Sequence, residues 1–301
     1  MKPLVSIGVP TYNRPEMLER TLQSLLGQTY ENIEIIVSDN CSTNSQVEAV
    51  MSRFIADKRI KYFRQPVNKG AIFNFNFLLE KFSGSYVMRL GDDDWVEPNY
   101  IECCVEFLEQ NPGYVGAYGQ TRLYDVGGKF VKYDPAINMD QDSYRERMVY
   151  YLENVNQNGC YFGLIRANNM QCVFVCKKLA DDWLGIARLS FGGKIKMLDN
   201  TSLNLSQGGA GNSMENIVKA LGGSRFNEYF PHLTIALNVY ADILWNSPVY
   251  KKIGFIKRQS LALVCAETVY RRFNVKNEIK WAYRGFLKAS FFPGILKRHA
   301  N

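Results

Sequence analysis

The sequence predicts an α/β fold, with a mainly parallel central sheet flanked by helices and a helical C-terminal extension. Short runs of β-branched and aromatic residues alternate with amphipathic stretches over about the first 118 residues, which is the pattern of consecutive βαβ units. The chain has 301 residues, of which 47% are hydrophobic, enough for one large domain with an appendage. Polar segments follow the predicted strands, at the positions where open α/β sheets bind ligands.

Five strands are expected in the first part of the chain, each short and nearly continuous, as buried parallel strands are. They cover residues 4–9, 33–37, 60–63, 86–90 and 114–118. Helices are expected between them, at residues 15–26, 47–55, 70–82 and 98–109. The first of these helices has a distinct apolar face, because Leu18, Leu22 and Leu25 recur at helical spacing.

The middle of the chain is less regular. We expect a hairpin, a loop with a helix, a strand, a further helix and a further strand, at residues 122–133, 134–157, 172–176, 181–189 and 194–198. Residues 205–213 are rich in Ser, Gly and Asn and are expected to form a mobile loop over a site. These patterns predict one domain over residues 1–213 and a mostly helical, basic region over residues 214–301.

Charge is unevenly distributed along the chain. Residues 251–301 hold twelve Lys or Arg against two Glu, or +10, while the whole chain carries +7, which leaves −3 for the rest. The end of this segment, at residues 279–292, predicts an amphipathic helix with Lys280, Arg284 and Lys288 along one side. Such a helix either packs with a solvated face or lies in a membrane interface. The uneven charge itself predicts that the basic segment contacts an anionic surface.

Cysteine and histidine usage excludes several classes of protein. Seven cysteines contain no CxxC pair, which argues against a disulfide framework and predicts a reducing compartment. The two histidines, His232 and His299, leave the first half without a His-rich metal site or a Ser-His-Asp triad. No secretory signal and no run of about 20 apolar residues is found, so a cytoplasmic protein is expected.

Three adjacent aspartates, Asp92, Asp93 and Asp94, follow the fourth predicted strand. Like charges so close together repel and raise one another's pKa unless a positive charge lies among them. A divalent cation would supply that charge, and hard carboxylate oxygens suit Mg²⁺ or Mn²⁺. The alternative is an acidic loop that water solvates. Neither GxGxxG nor GxxxxGK[ST] occurs, which disfavours a dinucleotide site and a P-loop.

Five blocks of sequence, at residues 9–14, 28–30, 35–43, 68–70 and 91–98, together resemble a family 2 glycosyltransferase with the GT-A fold. Their order and spacing both match. The resemblance covers residues 4–118 strongly and continues more weakly to about residue 195, and nothing specific follows residue 213. It divides the predicted domain into a donor-binding half, about 1–118, and an acceptor and catalytic half, about 119–213.

The resemblance implies a uridine or thymidine diphosphate sugar as donor, with Mg²⁺ or Mn²⁺ as cofactor. Pro10, Thr11 and Tyr12 would line the base and ribose, and Asp39 would accept a hydrogen bond from the base. Three more residues could approach the nucleotide or its phosphates; they are Arg14, Asn68 and Lys69. The Asp92-x-Asp94 pair matches the DxD motif, with Asp94 as first choice for the metal ligand and Asp92 or Asp93 near the ribose or a metal-bound water.

The family's general base is an acidic residue at a helix start, about a hundred positions after the metal motif. Asp181 and Asp182 fall there, and Asp182 fits the pattern better, although carboxylates also favour helix N-termini for structural reasons. The family often has Arg or His in the loop after the last strand. Residues 205–209 contain neither, which leaves stabilisation of the diphosphate to Lys69 or the metal.

These features together predict an inverting glycosyltransferase that moves a sugar to an acceptor hydroxyl. The expected acceptor is a glycan, lipid-linked at the inner membrane face during surface polysaccharide assembly, with the basic C-terminal region on the anionic membrane. One alternative is a sugar nucleotidyltransferase, which would need a Gly-rich, basic loop after the first strand. The other is a non-catalytic nucleotide-sugar-binding protein. Nucleic acid is not expected as a partner, because no recognised binding motif is present.

Overall fold

A computed structural model describes residues 2–43, 45–207, 217–218, 221, 223 and 225–276. The chain divides into two compact units, Met1–Asn212 and Ser213–Asn301. The further division of the first unit into a donor half and an acceptor half stays a prediction.

The first unit begins with alternating strands and helices, as the sequence predicts. The strands are β1 (Val5–Thr11), β2 (Ile33–Asp39), β3 (Ile60–Arg64) and β4 (Tyr86–Arg89), and the helices between them are α1 (Pro15–Leu26), α2 (Ser45–Phe54) and α3 (Ala71–Lys81). The strands pair in parallel in the order β3-β2-β1-β4. Helix α1 has Pro15 in its first turn, where the missing N–H costs nothing, and it buries Leu18, Leu22 and Leu25 completely.

The remaining elements of this unit extend the same sheet. They are β5 (Trp95–Val96), α4 (Tyr100–Gln110), β6 (Tyr114–Tyr124), β7 (Phe130–Tyr133), α5 (Tyr144–Asn154), β8 (Leu164–Arg166), α6 (Asp181–Gly192) and β9 (Lys194–Ser206). The sheet runs β3-β2-β1-β4-β8-β6-β9-β5, with β7 on β6 as the predicted hairpin. It is mixed, because β8 runs antiparallel to both of its neighbours while β6 and β9 are parallel.

The prediction of a strand at residues 172–176 is wrong. Residues Ala167–Val173 form a 3-10 helix, and Phe174 follows in extended conformation outside the sheet. Two backbone carbonyls that would accept hydrogen bonds from a neighbouring strand accept them from guanidinium groups instead. Arg89 donates to Val173 O at 2.9 Å and Arg188 to Cys172 O at 3.3 Å. Strand β9 continues to Ser206, so Leu205 and Ser206 belong to the strand and not to the predicted loop. Residues 208–213 and the amphipathic helix predicted at residues 279–292 lie outside the described residues.

The described part of the second unit is helical, as predicted. It contains α7 (Arg225–Tyr229), α8 (Pro231–Ala241), a π-helical turn (Asp242–Asn246), a 3-10 turn (Pro248–Lys252) and α9 (Phe255–Arg272). Its core includes Val239, Leu244, Tyr250 and Cys265. Among the described residues of the chain, none of the helices has the length and apolar character needed to cross a bilayer.

Candidate functional site

A cavity of about 480 Å³ opens at the carboxyl ends of the parallel strands. Parallel pairing puts these ends side by side, with Thr11 opposite Asp39 in β1 and β2, and Gly8 opposite Arg89 in β1 and β4. The predicted site residues that line the cavity are Pro10, Thr11, Tyr12, Arg14, Asn68, Asp92, Asp93 and Asp94. The structure thus brings residues from three separate loops to one concave surface.

Asp39 and Lys69 do not line this cavity. Asp39 is completely buried, and its Oδ1 accepts hydrogen bonds from the Ser42 backbone N–H at 2.8 Å and the Ser42 hydroxyl at 2.6 Å. Its Oδ2 accepts one from the Tyr62 hydroxyl at 2.9 Å. The Lys69 ammonium lies 4.3 Å from the centroid of the Phe73 ring. In this structure Asp39 holds the turn after β2, and its contact with a base stays a prediction.

Asn40 lines the cavity next to Asp39 and was not among the predicted residues. Its side-chain N–H donates to Asn68 Oδ1 at 2.9 Å, and its Oδ1 accepts from the Lys69 backbone N–H at 3.0 Å. Its own backbone N–H donates to the Thr11 carbonyl at 3.0 Å. Asn40 therefore ties together the loops after β1, β2 and β3. The available signal was its position directly after a strand-end aspartate.

Arg14 supplies the positive charge among the three aspartates. Its Nη1 lies 3.1 Å from Asp92 Oδ1 and 3.0 Å from Asp93 Oδ2. Burial on its own would lower the pKa of Arg14, but the two carboxylates outweigh it and raise that pKa. Asp92 also accepts a hydrogen bond from the Thr11 hydroxyl at 2.8 Å. The structure therefore places Arg14 at the acidic triplet, and the divalent cation expected there from the sequence stays a prediction.

Burial has the largest effect on the pKa of two carboxyls of the triplet, those of Asp92 and Asp94. It raises the pKa of Asp92 to about 6, against the lowering effect of Arg14. It raises the pKa of Asp94 to about 8, together with repulsion from Asp93, and the backbone N–H of Ser206 lowers it by donating to Asp94 Oδ1 at 2.9 Å. A further cation close to Asp94 would favour its charged form.

The residues around Gly91 fit a hard divalent cation. A Cβ on Gly91 would lie 2.7 Å from Asp93 Oδ1 and 2.7 Å from Asp94 Oδ2, so two carboxylate oxygens approach the same small space. Oxygen ligands of this kind suit Mg²⁺ or Mn²⁺. Within the described ranges, no three His, Cys, Asp or Glu side chains form a group that could hold a metal by themselves. Such an ion would therefore need phosphate oxygens and water as well, which is the usual way in which proteins hold Mg²⁺.

Arg20 of α1 brings a second cation to the triplet, at the end of β9. Its Nη2 donates to the Ser206 hydroxyl at 3.0 Å, and its guanidinium stacks 3.9 Å from the Trp95 ring centroid. Arg20, Arg14 and Asp93 all line an adjoining cavity of about 250 Å³. The sequence offered no basic residue after the last strand, and the structure places this one there from a helix far earlier in the chain.

Asp181 and Asp182 begin α6, directly after Ala180, which has a φ of 57°. Neither residue lines the 480 Å³ cavity. Asp182 Oδ2 accepts a hydrogen bond from the Asn158 side-chain N–H at 2.8 Å. Burial raises the pKa of both carboxyls, that of Asp181 to about 6, while the Asn158 hydrogen bond lowers that of Asp182. The Asn158 amide is oriented by the Tyr151 hydroxyl, which donates to its oxygen at 2.8 Å.

Arg89 is a buried cation next to both of these carboxyls. It is 3% exposed, at the end of β4, and its guanidinium lies 4.2 Å from the Tyr161 ring centroid. Against the raising effect of burial, its charge lowers the pKa of Asp181 and of Asp182. Its Nη2 and Asp181 Oδ1 are both buried without a hydrogen-bond partner among the described residues. Tyr161, which contacts Arg89, is followed in the sequence by Phe162, which lines the cavity.

Comparison with known proteins identifies the family. The glycosyl transferase family 2 model matches residues 6–176. An uncharacterised glycosyltransferase of Haemophilus influenzae is 35% identical over 130 residues, which is 43% of this chain and 52% of that protein. WcaA of Escherichia coli, whose name assigns it provisionally to colanic acid biosynthesis as a glycosyl transferase, is 28% identical over 60% of this chain and 64% of its own.

A third relative is the GalNAc(5)-diNAcBac-PP-undecaprenol beta-1,3-glucosyltransferase of Campylobacter jejuni, 32% identical over 47% of this chain and 45% of its own. The matches thus span about half to two thirds of these relatives. Among solved structures, Staphylococcus aureus TarS residues 1–349 with UDP-GlcNAc superposes with a TM-score of 0.60 at 16% identity, over 89% of this chain and 73% of that one. The fold is of the GT-A type, and the chain belongs to glycosyl transferase family 2.

Proposed function

We propose that the chain is an inverting, metal-dependent glycosyltransferase with a UDP- or dTDP-sugar donor and a glycan hydroxyl as acceptor. The observation that carries the proposal is the 480 Å³ cavity at the strand ends, which the acidic triplet shares with Thr11, Asn40 and Asn68. Its polar groups lie at or just after the carboxyl ends of β1, β2, β3 and β4, which is where α/β sheets bind nucleotides. TarS, whose fold the chain shares, has been solved with UDP and with UDP-GlcNAc, which supports a uridine donor.

The donor end of the reaction uses Asp94, Asp92 and Asp93. Their oxygens and the donor's phosphates would hold Mg²⁺ or Mn²⁺, which when bound offsets the charge that develops on the leaving diphosphate. Arg14 is paired with two of these aspartates, and its guanidinium would also attract a phosphate of the donor. Arg20 holds positive charge at the end of β9. Arg14 and Arg20 would supply the positive charge for the diphosphate that Arg or His in residues 205–209 would otherwise provide.

The acceptor end uses Asp182. A hydroxyl is a weak nucleophile at neutral pH, so a carboxylate must take its proton as the oxygen attacks the anomeric carbon, which is worth roughly 10²–10⁴ in rate. Single displacement of this kind inverts the configuration at that carbon. The Asn158 hydrogen bond orients the Asp182 carboxylate. Burial raises the pKa of Asp182, while the Asn158 hydrogen bond and the charge of Arg89 both lower it. Asp181 is the alternative base, since sequence and structure place it in the same turn.

The acceptor is a lipid-linked glycan in surface polysaccharide assembly, at the inner face of the membrane. Support comes from the names of two relatives, one placed in colanic acid biosynthesis and one that acts on an undecaprenol-linked glycan. The +10 charge of residues 251–301 suits an anionic membrane surface. Family membership favours transfer over the nucleotidyltransferase alternative.

The test compares two substitutions with different expected defects. Asp94→Asn should lose Mg²⁺- or Mn²⁺-dependent UDP binding, measured by calorimetry with and without chelator. Asp182→Asn should keep that binding and lose roughly 10²–10⁴ in the rate of sugar transfer, measured by UDP release in the presence of acceptor. Asp199→Asn, at an exposed aspartate of β9, removes the same charge and should change neither quantity.

Two outcomes would contradict the proposal. UDP binding that is equal in chelator and in Mg²⁺ would remove the metal from the donor site. An Asp182→Asn protein that is folded and transfers sugar at a near wild-type rate would show that another group is the base, and Asp181→Asn would be the next variant to assay.

A further inference from the structure

A corner of the second unit combines exposed apolar and exposed basic side chains. We define the basic corner as Trp245, Lys251, Lys252, Phe255, Ile256 and Lys257. The apolar members are exposed to an unusual degree: Trp245 is 63%, Phe255 54% and Ile256 81% accessible to solvent. Single exposed apolar residues are ordinary, but several together on one surface indicate a binding surface.

Packing and hydrogen bonds bring the members of the basic corner together. Trp245 lies in the π-helical turn, Lys251 and Lys252 in the 3-10 turn, and the other three in the first turn of α9. Arg258 of α9 donates to the Leu244 carbonyl at 3.1 Å, and its guanidinium lies 5.7 Å from the Phe255 ring centroid. One side chain thus joins the turn that carries Trp245 to the helix that carries Phe255.

The basic corner is supported from below by a packed core. Leu244, which precedes Trp245, and Val249 and Tyr250, which lie between members of the corner in the sequence, are buried. The Tyr240 ring packs edge-on against Trp245, with centroids 5.6 Å apart. The apolar side chains of the corner therefore project from a fixed surface.

The described residues do not compensate the charge of the corner. Residues 243–266 contain four basic residues and no Asp or Glu. The ion pairs of the described residues include none of Lys251, Lys252 or Lys257. All three are exposed. The complementary surface must therefore be anionic, and it must also accept protruding apolar groups.

We propose that the basic corner docks the protein on an anionic lipid bilayer. Trp245 would lie at the level of the headgroups, where indole rings concentrate, and Phe255 and Ile256 would enter the acyl boundary. Lys251, Lys252 and Lys257 would contact lipid phosphates. A bilayer interface accommodates the exposed Ile256, Phe255 and Trp245 side chains together with the three lysines, so the chemistry favours lipid. The residues of the basic corner do not include the amphipathic segment predicted at residues 279–292, which lies outside the described residues.

The inference rests on the proposed function for its biological sense, because a lipid-linked acceptor would then lie at the same surface. Its test needs neither donor nor acceptor. The full chain is mixed with vesicles of phosphatidylglycerol and phosphatidylcholine, or of phosphatidylcholine alone, and the bound fraction is measured by flotation. The wild type should bind the anionic vesicles and should bind neutral vesicles much more weakly.

Two variants with matched controls separate local from general effects. The variant K251Q/K252Q/K257Q should lose roughly a hundredfold in affinity for anionic vesicles, since each lysine near such a surface contributes about a fivefold factor. The control K58Q/K129Q/K132Q changes net charge equally at three exposed lysines of the first unit and should bind like wild type. Ile256→Asn should weaken binding, and Leu263→Asn, at an exposed leucine of the same helix, should not.

The proposal fails if wild type ignores anionic vesicles, or if both lysine triples lose affinity equally. It also fails if the corner triple loses binding only to single-stranded DNA, which would make the surface a nucleic-acid site. Transfer to a water-soluble acceptor should be unchanged in the corner variants. If the wild type binds anionic vesicles but transfers no sugar, the result would count against the proposed function and would leave the membrane role of the basic corner in place.

Discussion

Glu34 should be a major source of stability in the first unit at neutral pH. This carboxylate of β2 is buried, and its Oε1 accepts hydrogen bonds from the Ser83 hydroxyl at 2.7 Å, the Ser83 backbone N–H at 2.9 Å and the Ser6 hydroxyl. Its Oε2 accepts from the Lys61 ammonium at 2.6 Å. Burial alone would raise the pKa of Glu34, but these donors outweigh it and lower the pKa to about 2.

The magnitude follows from the difference between this pKa and the ordinary value of 4.5. At 1.36 kcal/mol per pKa unit the difference is worth about 3 kcal/mol, and because the Lys61 side chain is 53% exposed we expect about 2–3 kcal/mol after solvent screening. The folded-state pKa is depressed, so this stabilisation is complete above about pH 4.5 and is lost as the pH falls toward about 2.

The perturbation is Glu34→Gln, measured by urea unfolding at several pH values. Near neutral pH the variant should lose about 2–3 kcal/mol of unfolding free energy, and the gap to wild type should narrow at acid pH because wild type loses the same interaction. Glu31→Gln, at an exposed position just before β2, is the control and should cost little. Equal costs for the two variants at neutral pH, or a gap that persists unchanged in acid, would refute the electrostatic reasoning.

Two further predictions concern the site. Arg89→Met should raise the pKa of Asp182 by removing the neighbouring positive charge, so the acidic limb of the pH–rate profile for transfer should move to higher pH, while Arg89→Lys should largely restore it and UDP binding should stay unchanged. Gly91→Ala should weaken Mg²⁺-dependent UDP binding at least tenfold in calorimetry, because its Cβ would lie 2.7 Å from two aspartate oxygens. Gly113→Ala, whose Cβ meets nothing within 4 Å, should bind UDP normally.

The regular part of the fold could be predicted from sequence because local patterns determine it. The leucine face of α1 and the acidic start of α6 are both encoded within single elements. The error at residues 172–176 had a long-range cause. Arg89 and Arg188 donate to carbonyls in that segment, and a run of Val, Phe and Cys carries no sign that distant guanidinium groups will occupy its backbone.

The same distinction applies to the site. Eight of the predicted site residues line the cavity because parallel strands bring their carboxyl ends to one edge of the sheet. Asn40, Asn158, Arg20 and Arg89 could not be predicted, since each acts through contacts with residues distant in the sequence. Arg89 ends the apolar strand β4, and nothing in the sequence near it indicates that the fold brings Asp181 and Asp182 next to its charge.

The three aspartates of the triplet have different partners, and the difference bears on which of them we propose as a metal ligand. Arg14 and Thr11 occupy Asp92, and Arg14 also pairs with Asp93. Asp94 receives one hydrogen bond, from the Ser206 backbone N–H to Oδ1, and no described residue donates to its Oδ2. A buried carboxylate with a free oxygen and no paired cation gains the most from a bound ion. We therefore propose Asp94 as the principal metal ligand, since Asp92 is already paired with Arg14.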